Sequence, residues 1–234
     1  MIAVILAAGK GTRFGKITEK TPKSLIPVAG KPILEHILFS LPSQINEVVL
    51  VIGHLGEKIK NKFGNKYEGR KITYVNAELN GTGGALWQTR SCLEKEKFLV
   101  LNGDDIYWKP ELKNLIKHNW SAGLIKTLPP SPKYLTFELD KNNIILGARY
   151  PNNQELVKGI IMSTGAFVID YNIFKYKLVQ ITKTEYGLPQ TVLKAAKKYP
   201  IKGVMMKNCL QINCLKDKER AEEILNSRLN LLKN

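Results

Sequence analysis

The sequence predicts an α/β protein with a mixed, mostly parallel sheet flanked by helices in three layers. Three observations lead there. Residues 2–6, 47–52, 71–75 and 97–101 are short apolar runs rich in β-branched residues, which suits strands buried on both faces. Residues 33–39 and about 56–63 lie between them and carry apolar residues at helical spacing. Strand–helix alternation of this kind gives parallel strands joined by right-handed crossovers.

The first strand runs through Ala7 and Ala8 into Gly9-Lys10-Gly11-Thr12-Arg13. Such a turn lets bare backbone N–H groups approach a phosphate closely. Arg13 adds a planar cationic fork and Lys23 a point charge, so the segment suits a polyphosphate. The dinucleotide fingerprint fails because Phe14 stands at its third glycine, and the P-loop fails because Ile17 follows Gly15-Lys16. Pro32 opens the helix over 33–39, in which His36 reads as an ordinary helix-face residue, and Pro42 lies past its end. Gly53-His54 turns the second strand into the next helix. After the third strand, Gly81-Thr82-Gly83 opens a further helix near Gly83, where a flat ring can lie against bare backbone beside the positive helix end.

The strand at 97–101 ends in Asn102-Gly103-Asp104-Asp105. Carboxylates just past the carboxyl end of a parallel strand sit where α/β sheets bind ligands, and one there can hold Mg²⁺ together with substrate phosphates. An Asx-turn leading to a helix near Pro110 is the alternative for the same residues. The second half predicts a strand at 124–127, a rigid loop at 129–132, a hairpin of 134–139 with 143–148, and a strand at 160–169 interrupted by Gly165. A helix running to about 198, a strand at 201–206 and an amphipathic helix over about 216–232 complete the chain.

Composition narrows the function classes. The 234 residues suffice for one large α/β domain. Lys+Arg number 36 against 20 Asp+Glu, a net charge of +16, which would suit nucleic acid or an anionic small molecule. The lysines are spread along the chain with no aromatic-plus-basic RNA motif, so the reading is a solvated basic surface that steers phosphates, with no nucleic-acid partner. No apolar run reaches the roughly 20 residues of a membrane span. The N-terminus has no signal-peptide pattern, and Cys92, Cys209 and Cys214 have no metal spacing. The expectation is a cytoplasmic protein with reduced thiols and no membrane partner.

At this point the motifs resemble one family, the sugar-phosphate nucleotidylyltransferases. Gly9-Lys10-Gly11-Thr12-Arg13, Thr18, Pro22-Lys23, Pro27-Val28 and Gly30-Lys31-Pro32 match its long N-terminal motif in spacing. Asn76 with Gly81-Thr82, Gly103-Asp104 and Ser163-Thr164-Gly165 are similar to its later motifs. The resemblance implies a Rossmann-like (GT-A-type) fold in one domain over 1–234, with a nucleotide-binding half at 1–120, an acceptor-binding half at 121–215 and a C-terminal helix at 216–234. It implies a transferase that joins a nucleoside triphosphate to a sugar 1-phosphate and releases pyrophosphate. GTP is favoured, with UTP or CTP as alternatives, and a homodimer is compatible.

The same resemblance assigns residues. Leu6, Ala8, Gly9, Gly11, Thr12, Arg13, Lys23, Asn76, Gly81, Thr82 and Asp104 would bind nucleotide, with Arg13, Lys23 and Asp104 catalytic. Gly147, Ser163, Thr164, Gly165 and Glu185 would bind the acceptor. Asp104 and Asn213 would hold Mg²⁺. No nucleophilic side chain is needed, because the acceptor phosphate is already ionised and catalysis is positioning plus charge stabilisation. Three departures stand out. Arg149-Tyr150-Pro151 replaces a common Glu-Lys-Pro, Ser163 replaces Asn, and Leu215-Lys216-Asp217 replaces an aromatic and Gly-Thr-Pro stretch. They leave two alternatives open: a cytidylyltransferase for a non-sugar phosphate such as phosphocholine, and a non-catalytic regulatory protein of the same fold.

Overall fold

The strand Ile2–Ala7, β1, alternates its side chains between two cores. Ala3, Ile5 and Ala7 enter one, Val4 and Ala8 the other. Only a strand covered on both faces can do this. The computed structural model describes residues 1–129, 132 and 134–231. Among them, β1 is joined in one eight-stranded sheet by β2 (Glu47–Ile52), β3 (Lys66–Tyr67), β4 (Arg70–Asn76), β5 (Lys97–Asn102), β6 (Ser121–Thr127), β7 (Ile160–Asp170) and β8 (Lys202–Met205). The spatial order is β8-β6-β7-β5-β1-β2-β4-β3.

The pairs β1–β2, β1–β5, β2–β4 and β6–β8 are parallel. Strand β7 runs antiparallel to both β5 and β6, and β3 runs antiparallel to β4. The sheet is therefore mixed and mostly parallel, as the alternation predicted. Val48, Leu50, Ile52, Leu99 and Leu101 share one core with the helices Ile33–Ser40 (α1) and Gly56–Phe63 (α2). Val49, Val51, Phe98 and Val100 share the other with Gly81–Trp87 (α3) and Leu188–Ala195 (α5). The helix Lys109–Leu115 (α4) and the C-terminal helix Leu215–Leu231 (α6) pack on the first face through Leu112, Leu115 and Ala221.

Several elements differ from expectation. The helix expected near Gly83 starts at Gly81, and the one expected to reach 198 ends at Ala195. A short helix at Asn153–Lys158 was not foreseen; Asn152 and Glu155 form a reciprocal capping box that holds it. A ribbon of Asp105–Tyr107 with Cys209–Gln211 was also missed. The hairpin forms between Thr136–Leu139 and Ile145–Arg149. The expected loop at 129–132 falls partly on Pro130 and Ser131, and the expected helix end on Leu232; these three lie outside the described residues. Trp87, Trp108 and Trp120 all pack within the chain, against Phe174, Arg228 and Tyr199 respectively. Among the described residues no helix is long and apolar enough to cross a membrane.

Candidate active site

The glycine turn after β1 is shaped by close packing. Gly11 has φ +66°, and a Cβ there would stand 2.8 Å from Cβ of Lys23. Only glycine lets this loop adopt that conformation and close over Lys23. Buried Thr18 pins the loop: its hydroxyl lies 3.2 Å from the Gly11 carbonyl oxygen and 3.0 Å from that of Gly15. Phe14 enters the core, which leaves Thr12 and Arg13 exposed at the rim.

Lys23 lies on a single 3-10 turn, Lys23–Leu25, and is only 8% exposed. Its ammonium forms an ion pair with the Asp104 carboxylate, which sits just past the end of β5. The neighbouring Asp105 is buried and accepts a hydrogen bond from the Asn102 amide at 3.2 Å. Burial, and then repulsion from Asp104, push its carboxyl well above the usual carboxylate range. Asp105 thus supports the loop, while Asp104 is paired with Lys23 in the cleft.

In the ribbon register Asp105 pairs with Gln211, which brings Asn213 close to Asp104 in the fold. The Asp217 carboxylate accepts from the backbone N–H groups of Asn213 at 2.8 Å and Cys214 at 3.1 Å, fixing that turn at the start of α6. The Leu215-Lys216-Asp217 departure therefore has a structural task. One carboxylate and one amide opening on the same cleft fit Mg²⁺, which takes few protein oxygens and keeps waters and substrate phosphates. Among the described residues no group of three or more His, Cys, Asp or Glu offers a fuller metal cage.

The other end is built by β7. Its pairing with β6 shifts between Ser163 and Phe167, a bulge centred on Gly165 with φ +74°. A side chain at Gly165 would run into the Asn102 amide, so this glycine lets Asn102 reach Asp105. The Ser163 hydroxyl accepts from the Gly165 N–H at 3.0 Å. At the start of α3, the Thr82 hydroxyl accepts from the Leu188 N–H at 3.1 Å and so caps α5, holding the Glu185–Gln190 segment against α3.

One cleft of about 660 Å³ gathers most of the expected residues. Leu6, Ala8, Gly9, Gly11, Thr12, Arg13, Lys23, Gly81, Thr82, Asp104, Ser163, Gly165, Glu185 and Asn213 line it. Asn76, Gly147 and Thr164 are not among its lining residues. Asn76 is exposed at the end of β4, where Glu78 and Leu79 reach the cleft instead. Gly147 pairs with Glu138 within the hairpin. Thr164 is fully buried, and its hydroxyl donates to the Gly123 carbonyl at 3.0 Å. Residues not foreseen include Ser24, Tyr134, Phe137, Met162, Phe167, Gln190 and Gln211. Strand alternation could have set Thr164 opposite Ser163; nothing local in the sequence marks the aromatic lining. Ser24 Oγ and Gln190 Oε1 are buried without a hydrogen-bond partner among the described residues, a condition that costs roughly 1–3 kcal/mol per group.

Arg149 lies outside this cleft. It pairs with Glu138 at 2.8 Å and with Glu155 at 2.8 Å, and is exposed. These bonds hold the Glu155 carboxyl down at about 2.

A three-layer α/β fold with a phosphate-suited glycine turn, a lysine–aspartate pair and a cleft across the carboxyl ends of the parallel strands defines a nucleotide-handling class. Residues 2–128 match the model of a family described as nucleotidyl transferase. The chain belongs to that family. It is 32% identical over 211 residues to a protein named bifunctional protein GlmU from Methanocaldococcus jannaschii, covering 88% of this chain and 49% of that one. It is 33% identical over 137 residues to a D-glycero-alpha-D-manno-heptose 1-phosphate guanylyltransferase from Aneurinibacillus thermoaerophilus, covering 57% and 60% respectively. The chain thus spans about half the length of the curated relatives it matches. A structure titled as a putative glucose-1-phosphate thymidylyltransferase from Bacillus anthracis superposes with a TM-score of 0.78 at 19% identity, over 96% of this chain and 95% of that one. This last likeness is one of fold.

Proposed function

We propose that the protein joins a nucleoside triphosphate to a sugar 1-phosphate and releases pyrophosphate. The observation that carries this reading is the Lys23–Asp104 pair within the cleft. The glycine turn, Arg13, Gly81-Thr82, Ser163 and Gly165 line the same cleft as the pair. In this reading Gly11, Thr12 and Arg13 hold the β- and γ-phosphates. Lys23 lies between the α-phosphate and the incoming acceptor phosphate and offsets the repulsion between two anions. Asp104 and Asn213 would hold Mg²⁺, which when bound neutralises charge developing at the α-phosphate. The acceptor phosphate is ionised near neutral pH and needs no general base. Asp105, buried and held toward its neutral form, is not asked to act as one.

GTP is the favoured nucleotide, with a mannose- or heptose-type 1-phosphate. The 33% identity to a guanylyltransferase supports this choice. A second reading keeps the chemistry and changes the substrates to CTP and a non-sugar phosphate such as phosphocholine. Its support is the lining of the cleft, where Tyr134, Phe137 and Phe167 occur together with Glu185. Aromatic faces and one acid suit an alkylammonium group. The deciding experiment is pyrophosphate release from each of ATP, CTP, GTP, TTP and UTP with Mg²⁺ against sugar 1-phosphates and phosphocholine. A GTP–sugar pair is expected to turn over. Release only with CTP and phosphocholine would select the second reading. Nucleotide binding without release from any pair would favour a regulatory role.

A further inference from the structure

We propose that Ser24 is a phosphate-binding residue, its hydroxyl donating a hydrogen bond to an anionic phosphoryl oxygen held beside Lys23. The proposal rests on reading the cleft as a site for phosphate esters. Ser24 is 3% exposed, lines the cleft, and has no hydrogen-bond partner for Oγ among the described residues. Other buried hydroxyls behave differently. Those of Ser40, Thr89, Ser121, Thr164 and Thr191 each donate to a backbone carbonyl at 2.7–3.1 Å. Buried polar side chains in native proteins are nearly always paired, so an orphan hydroxyl on a residue that lines a cleft marks a place for a ligand atom.

The local backbone explains why Ser24 finds no partner of its own. A serine inside a helix satisfies itself on the carbonyl of the preceding turn. Here Thr21 and Pro22 are extended, with ψ of 122° and 141°, so the helical turn Ile17–Lys20 does not continue into Ser24. The carbonyls of Pro22 and Lys23 already accept from the N–H groups of Leu25 at 2.8 Å and Ile26 at 3.0 Å. The chain thus places an uncommitted O–H next to the lysine that faces Asp104. A hydroxyl adds no charge there, but it can donate, and donation to an ionised oxygen is among the stronger hydrogen bonds.

The test compares the full-length protein with Ser24→Ala. Binding of inorganic pyrophosphate and of Mg²⁺-GTP, Mg²⁺-UTP and Mg²⁺-CTP is measured by calorimetry, and the thermal midpoint is recorded for each protein. Affinity is expected to fall about tenfold or more for every phosphate that binds, whatever the base. The midpoint is expected to hold or rise, because an unpaired buried hydroxyl has been removed. Unchanged affinities overturn the proposal, and a lower midpoint with unchanged affinities assigns the hydroxyl to the fold instead. The two readings separate cleanly. Turnover with normal affinity in Ser24→Ala sinks only the serine. Pyrophosphate binding lost in Ser24→Ala, in a protein that turns over no substrate pair, sinks only the transferase reading. A wild-type protein that binds none of these phosphates sinks both.

Discussion

Lys23 and Asp104 come from positions 81 residues apart and meet in the cleft. Each is the other's charge partner in a partly buried place, and each is asked to face developing phosphate charge. Lys23→Ala and Asp104→Ala are expected to lower kcat about 10²-fold or more, read as pyrophosphate release at saturating substrate. Near-normal turnover in either would remove that residue from the mechanism. Glu155 belongs to the residue scale for a different reason. Its carboxyl titrates at about 2 rather than 4.5, held down first by the Arg149 hydrogen bonds and next by the Asn152 N–H. A depressed carboxylate stabilises the folded state above its ordinary pKa and loses that contribution as pH falls. The window is therefore from about 4.5 down to about 2. An NMR titration of Arg149→Ala should show the Glu155 midpoint moving up toward 4.5. No movement would mean that the pair does not persist in solution, as is common for exposed ion pairs.

Helix α5 and strand β7 show how elements set the cleft. The α5 N-terminus has no side-chain cap of its own and is served by Thr82 from the start of α3. Thr82→Val should cost about 1 kcal/mol in chemical denaturation, the usual value of a lost cap. It should also weaken nucleotide binding, because Gly81-Thr82 and the Glu185–Gln190 segment are held together there. Loss of stability alone would make Thr82 purely structural. In β7, the bulge at Gly165 turns Ser163 toward the cleft and Thr164 away from it. Strand alternation made that opposition readable, but the resemblance treated the three residues as a block. The ribbon that positions Asn213 was not readable, because three-residue strands leave no periodic signal and their pairing partner lies 102 positions away or more.

At the scale of the molecule, the charge of +16 is large for 234 residues. In the proposed reading, this excess of positive charge would steer anionic substrates toward the cleft. The apparent KM for nucleotide should therefore rise with ionic strength while kcat holds, since the screening length drops from about 10 Å at 0.1 M salt to about 3 Å at 1 M. A flat KM would show that the charge serves solubility rather than capture. The two cores cover opposite faces of the sheet, and the large cleft lies at its carboxyl-end edge, where the glycine turns converge.

The sequence by itself determined the layered sheet, because buried strands such as 47–52 and amphipathic helices such as 33–40 write their burial into local periodicity. It also determined that the segment from Gly9 to Lys23 lines the cleft, because those residues are close along the chain and their spacing is chemical. Only the tertiary structure decided which residues face inward elsewhere. Asn76 was expected in the cleft and lies exposed beside it, while Ser24 and Phe137 were passed over and line it. Arg149 stands at a departure from the family pattern, and only the fold commits it to Glu138 and Glu155. The physical reason is range. Hydrophobic period and turn chemistry act over a few residues, whereas the direction of a side chain in a loop is set by neighbours from distant strands.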